Sequence, residues 1–157
     1  MNAPGIRTRR WTRAEYYRCG ELGIFHPTER LELIGGQIIV KERQSPGHAT
    51  AIRLAGDVFE AAIAAHLSCP PLVLEVAEAT VVLDRDYKTS LYARAQIPDY
   101  WLVNLIDGTL EVYRDPERDA ERPFGYRYAP RLILRLGDFV TPLAAPSSRI
   151  AVADLLP

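Results

Sequence analysis

The chain has 157 residues, 48% of them hydrophobic and 25% charged, a length and balance that suit one folded domain and exclude a disordered segment. A net charge of -1 excludes a strongly basic nucleic-acid coat while leaving room for a local basic groove. The two cysteines, Cys19 and Cys69, exclude a disulfide framework and a zinc finger and suit a reducing compartment.

No apolar run nears the roughly 20 residues that span a bilayer. The arginines before Thr12 lack the apolar stretch of a secretory signal, so a cytoplasmic protein is expected. Residues 1–10 read as a flexible basic arm (Arg7, Arg9, Arg10), and residues 11–157 as a single domain. Thr12-Arg13-Ala14-Glu15 is a capping box that opens a helix, and Gly23 ends it. From Arg30 to Glu42, Leu31, Leu33, Ile38 and Val40 alternate around Gly35-Gly36, which predicts a β-hairpin with a tight turn. Ser45-Pro46 starts a second helix, with Ser as N-cap and a stripe of Ile52, Ala55, Val58, Phe59, Ala62 and Ile63.

Pro70-Pro71 breaks the chain before Leu72–Ala77, a short apolar run expected to be a central strand. Asp84 or Asp86 is expected to cap a third helix, which runs to about Gln96 and is stopped by Pro98. Tyr100–Val103 forms the next strand, and Asp107-Gly108 turns it into Thr109–Arg114. Further strands are expected near Tyr126–Tyr128 and Leu132–Leu136, before an extended or short helical tail. A helix between two neighbouring strands implies a crossover connection. The fold class is α/β or α+β around one mixed sheet.

Glu75 stands inside an otherwise apolar strand, where a carboxylate is costly unless paired, protonated or bound to a metal. The alternative is an edge strand with Glu75 facing water. Leu91, Tyr92 and Ala95 follow Lys88 at i+3, i+4 and i+7, so Lys88 is expected on the face turned to the sheet, near Glu75. A structural ion pair is the bland explanation. A phosphodiester nuclease uses such groups: carboxylates hold Mg²⁺, and a lysine stabilises transition-state charge. Glu78, Asp84 and Asp86 lie nearby in sequence. Glu32, between Leu31 and Leu33, points away from both. Tyr100 and Trp101 are expected in the core, and His26, His48 and His66 have no metal-binding spacing.

Several stretches together resemble a known family: Arg30-Leu-Glu-Leu-Ile-Gly-Gly-Gln-Ile, Ser45-Pro-Gly-His48, Glu75-Val-Ala, Asp84, Lys88, Tyr92-Ala93, Ile97-Pro-Asp-Tyr-Trp-Leu-Val and Glu111-Val-Tyr-Arg. They are similar to the Uma-type restriction-endonuclease family, within the PD-(D/E)xK nuclease superfamily, from Trp11 to Leu156. The resemblance implies a restriction-endonuclease-like core, Mg²⁺ or Mn²⁺ as cofactor, and DNA as substrate. It implies Glu75, Lys88 and Glu32 as catalytic residues and Glu75 as a metal ligand. Asp84, close by, is a further candidate ligand.

The chain departs from the family's pattern before Leu72. The family carries a strand pair there, with a Pro-Asp motif that supplies another metal ligand. Here His66-Leu67-Ser68-Cys69-Pro70-Pro71 runs almost directly into the strand, and no Pro-Asp occurs there; the only Pro-Asp, Pro98-Asp99, belongs to a different motif. Gln96 stands where the family has a helix-ending Gly. A missing hairpin would leave an exposed sheet edge, so a homodimer is expected. Two functions stay open: a divalent-metal-dependent DNA endonuclease, and a catalytically inactive relative that binds nucleic acid or protein.

Overall fold

The structure, a computed structural model, describes residues 9–41, 44–63 (the backbone alone at 60–63) and 72–157. The chain divides into two units, Met1–Arg43 and Gln44–Pro157. The Pro-Asp region and Pro70-Pro71, like the arm before Arg9, lie outside the described residues.

In the first unit, α1 (Arg13–Glu21) carries the expected capping box: Thr12 accepts from the Glu15 amide, and the Glu15 carboxylate accepts from the Thr12 amide at 2.9 Å. Gly23, at φ 67°, lies just past its end. Strands β1 (Arg30–Ile34) and β2 (Gln37–Lys41) pair antiparallel around Gly35 and Gly36. Both glycines have positive φ, the geometry that lets two residues reverse the chain. Gly36 also meets a second constraint, because a Cβ there would lie 2.8 Å from the Cβ of Arg10.

In the second unit, Ser45 Oγ caps α2 (Pro46–Ile63) by accepting from the His48 amide at 3.1 Å. The helix buries Ala51 and Ala55 and packs Val58 and Phe59 on the core. Ile52, expected in that stripe, is instead 48% exposed. The buried face starts one residue earlier, at Ala51, because Ala51, Ala55, Val58 and Phe59 keep helical spacing without it. The side chains of Ala62 and Ile63 lie outside the described residues.

The main sheet has the order β3-β4-β5-β8: β3 (Leu72–Ala77), β4 (Asp99–Asn104), β5 (Thr109–Arg114) and β8 (Leu132–Leu134). β3 and β4 are parallel, and the other pairs are antiparallel. The β3 run is therefore the edge strand among the described residues, not a central one. Its apolar run reflects cover on both faces, which is what a continuous hydrophobic strand requires. Short pairs join β6 (Pro116–Arg118) to β7 (Tyr126–Tyr128), and β9 (Phe139–Val140) to β10 (Ile150–Ala151).

One face of the sheet (Val76, Trp101, Val103, Leu110, Val112) packs with Ala51 and Ala55 of α2 and with Val140, Ile150, Val152 and Leu155 of the tail. The other (Ala77, Tyr100, Leu102, Tyr113) packs with Val81, Tyr92, Ala93 and Tyr128. The architecture is α+β with a mixed sheet. No helix among the described residues is long and apolar enough to cross a membrane.

The connection from β3 to β4 departs most from expectation. It begins with α3 (Val81–Leu83), widens into a π turn over Asp84–Lys88, and continues as α4 (Thr89–Arg94). Neither Asp84 nor Asp86 caps it. Thr80 is the N-cap residue and makes no side-chain cap, while Asp84 is 1% exposed. The π turn shifts the helix phase, so Thr89, Ser90 and Ala93 face inward and Ala95 is exposed. Gln96 then closes the helix at φ 56°.

Candidate active site

The side chain of Glu75 leaves β3 toward the π turn, and Lys88 reaches it. Lys88 Nζ lies 3.1 Å from Glu75 Oε2 and 3.0 Å from Asp84 Oδ1. The second oxygen of Glu75 accepts from the Tyr92 hydroxyl at 2.8 Å, and the second oxygen of Asp84 accepts from the Thr80 hydroxyl at 2.7 Å. The outer oxygens of the two carboxylates are thus hydrogen-bonded, while Asp84 Oδ1 is held by the Lys88 charge and has no hydrogen-bond partner among the described residues. Lys88 and Asp84 are buried, and 22% of the Glu75 side chain meets solvent, so the cluster opens on the Glu75 side. Burial would push the Lys88 ammonium down, but the charges of Glu75 and Asp84 outweigh it and hold it above its ordinary value. Lys88 is therefore a fixed positive charge at neutral pH.

The π turn explains how residues so close in sequence share one face. The Thr89 amide reaches back to the Asp84 carbonyl, an i→i+5 bond that lodges an extra residue in the turn, a feature frequent at functional sites. Asp84, Lys88 and Thr89 are all buried, and Arg85 is directed to β5.

There a second buried carboxylate waits. Glu111 is fully buried. It accepts from Arg85 Nε at 3.0 and 3.1 Å, from Arg85 Nη2, from the Tyr113 hydroxyl at 2.6 Å and from Asn104 Nδ2 at 3.3 Å. Arg131 Nε stands 3.5 Å away. Burial would raise the Glu111 carboxyl, yet Arg85, Tyr113, Asn104 and the Arg131 charge hold it below its ordinary range. Sequence reasoning assigned Arg85 no role and named Glu111 only within the Glu111-Val-Tyr-Arg stretch of the family resemblance, because Glu111 alternates with Leu110 and Val112 as a solvent-facing residue would.

Of the residues singled out in the sequence, the structure brings together Glu75, Asp84 and Lys88. Glu32 lies in the first unit and pairs with Lys41 at 2.8 Å. Asp86 is exposed, 3.8 Å from Arg122. Tyr100 and Trp101 are fully buried. Asp99, of the Ile97-Pro-Asp stretch, is a buried acceptor for Trp101 Nε1 and Arg114 Nε, at 2.7 and 2.8 Å, and ties β4 to the tail through the Leu143 amide at 2.9 Å.

The profile of the Uma2 family, described as "Putative restriction endonuclease", matches residues 62–153, more than half of the chain. The chain belongs to the Uma2 family. Membership gives it a nuclease-like character, and the matched stretch contains Glu75, Asp84, Lys88 and Glu111. No curated protein matches the chain.

Glu75 and Asp84 supply hard oxygen donors, and with Lys88 they carry a net negative charge. Beside them the buried Tyr100 hydroxyl has no hydrogen-bond partner among the described residues, and the charges of both acids act on it. No group of three or more His, Cys, Asp or Glu converges among the described residues. Mg²⁺ is commonly held by one or two carboxylates plus waters and substrate phosphate rather than by a protein cage, and the donor set fits that kind of binding.

Proposed function

We propose that this chain hydrolyses phosphodiester bonds in DNA at the Glu75–Asp84–Lys88 cluster. The observation that carries the reading is the Lys88 ammonium placed between two carboxylates at the joint of β3 and the π turn. Glu75 and Asp84 would hold Mg²⁺ or Mn²⁺. The metal, when bound, would lower the pKa of a water and neutralise phosphate charge. Lys88 supplies a fixed positive charge for the pentacoordinate phosphate. Tyr92 and Thr80 orient the two acids by donating to their outer oxygens. Glu32 carries a catalytic role by family resemblance, and a Glu32→Gln variant tests it by the same assay.

Incubation of plasmid DNA with purified protein in Mg²⁺ and in Mn²⁺ tests the reading, beside a Glu75→Ala variant and a chelated control. Nicking that needs both metal and Glu75 is expected. Nicking that survives Glu75→Ala would move the site elsewhere.

A second reading is a Uma2 protein that binds nucleic acid or a protein partner without cutting. It is favoured by the contacts that already occupy both carboxylates, two hydrogen bonds and the Lys88 ion pairs, and by the absence of Pro-Asp before Leu72. DNA retention that weakens steeply with salt, without nicking, is its signature. We also propose a homodimer through the side of β3 that has no strand partner among the described residues, and a cytoplasmic location. Sedimentation over a range of concentrations tests the first, and a mass that stays monomeric throughout would end it.

A further inference from the structure

Two carboxylates of the site face, the half-buried Glu75 and the fully buried Glu111, are related by register. Glu75 pairs with Leu102, and Leu102 pairs with Glu111, so the two acids stand in one row on the same face of the sheet, two strands apart, roughly 10 Å by strand spacing. Each takes a cation from the same π turn: Lys88 to Glu75, Arg85 to Glu111. The turn is thus stapled to β3 at one side and to β5 at the other. Arg85 is the stronger staple, because its Nε contacts both Glu111 oxygens and Nη2 adds a third contact. Asp107 accepts from the same Nη2 at 3.3 Å and from Asn104 Nδ2 at 2.8 Å, which closes the network over the end of the β4–β5 hairpin.

A π turn is intrinsically less favourable than continuous α-helix and needs outside contacts to persist. Arg85 follows Asp84 directly, so whatever fixes the Arg85 backbone fixes Asp84, and through it the position of Lys88.

We propose that Glu111 is a positioning residue of the site: by clamping Arg85 it holds the π turn in the register that places Asp84 and Lys88 on Glu75. It touches neither substrate nor the reacting atoms. Its importance for cleavage rests on the nuclease reading above, but the clamp itself does not.

The chain has two lysines, Lys41 and Lys88, so selective ¹⁵N labelling of lysine side chains gives two ammonium signals, one at the site and one as internal control. In the intact protein the Lys88 ammonium, buried and doubly paired, should exchange its protons slowly. In Glu111→Gln the chain should still unfold cooperatively. Lys88 ammonium exchange should then speed up about tenfold, the factor that loosening one charge-assisted hydrogen bond corresponds to, with Lys41 unchanged. Arg85→Met should give the same change, and the double variant no more than either alone, as for residues that act as a unit. Equal Lys88 exchange in the parent and in both single variants would overturn the proposal, as would additive effects. Should Glu111→Gln fail to fold, Arg85→Met alone decides. A clamp effect in a protein that never nicks DNA would sink the nuclease reading and keep the clamp; nicking with no clamp effect would do the reverse.

Discussion

The ammonium of Lys88 lies 3.1 Å from Glu75 Oε2, joining the first helical turns after β3 to the middle of β3 itself. A buried ammonium is costly when alone and acceptable when paired and hydrogen-bonded. Here Asp84 shares the charge at 3.0 Å, so removal of the lysine would leave two carboxylates facing each other in a largely dry site.

Lys88→Met therefore should destabilise strongly. Breaking a buried pair from one side costs about 3–5 kcal/mol, and solvent at Glu75 places this case toward the lower end. Urea melts of parent and variant read the loss directly. A midpoint within error of the parent would mean that the ion pair contributes nothing. If the fold survives, nicking should fall below detection, whereas Lys88→Arg should retain part of the stability and little of the activity, because a planar guanidinium does not fit an ammonium site.

Acid stability should follow Glu111. Its carboxyl is held below its ordinary range, because Arg85, Tyr113, Asn104 and Arg131 outweigh the effect of burial. A depressed carboxyl contributes stability that is present above the ordinary value, about 4.3, and is lost as pH falls through the folded-state value. Between the ordinary value and the folded-state value each unit of pH costs up to about 1.4 kcal/mol, and below both there is no further loss from this group. Stability measured from pH 6 down to pH 2 should therefore drop less steeply in Glu111→Gln than in the parent. Parallel curves would show that Glu111 does not titrate with unfolding.

Local elements were legible in the sequence because their signals are local. The Thr12–Glu15 box, the Gly35-Gly36 turn, the Ser45 cap and the Asp107-Gly108 turn each concern neighbouring backbone groups, and each appears where expected. Glu75 and Lys88 were found because a charge in an apolar strand, or on an apolar helical face, is anomalous. Asp84 was mistaken for a cap because capping is the commonest task of an Asp near a helix start. A π turn leaves no periodic trace over so few residues, so the phase change that exposes Ala95 was invisible. Glu111 was missed because Leu110 and Val112 alternate with it as in a strand with one wet face, and the partners that bury it, Arg85 and Arg131, are distant in the chain. The edge position that β3 takes among the described residues was hidden because both of its faces are covered, so its residues read like those of an inner strand.

The aromatic layer under the site sets the alkaline limit. Tyr100, Tyr113 and Tyr128 pack with ring centroids 5.4 to 6.2 Å apart. Burial first, and then the nearby carboxylates, push all three phenols above their ordinary value. A raised phenol contributes stability that is fully present below about pH 10 and is lost as pH climbs toward the folded-state value. In a titration followed by phenolate absorbance, these three rings should ionise only with unfolding. Tyr113→Phe, which also removes the hydroxyl bonded to Glu111, should make the alkaline limb less steep. A fully reversible titration of every tyrosine in the folded protein would refute this account.

Gln96 offers a gain in stability. It closes α4 at φ 56°, a left-handed conformation that costs a side-chain-bearing residue about 1 kcal/mol and costs glycine almost nothing sterically. Its side chain recovers part of that cost by donating from Nε2 to the Ala93 carbonyl at 3.0 Å, and its own amide also reaches Ala93. Gln96→Gly keeps the backbone bond, relieves the strain and loses the part-buried side-chain bond, so a net stabilisation of about 0.5 kcal/mol is expected. Gln96→Ala, which keeps the strain and loses the bond, should be destabilising. Thermal melts of the two variants at neutral pH separate the terms. If Gln96→Gly melts lower than the parent, the side-chain bond outweighs the backbone strain, and the helix end is held by Gln96 itself.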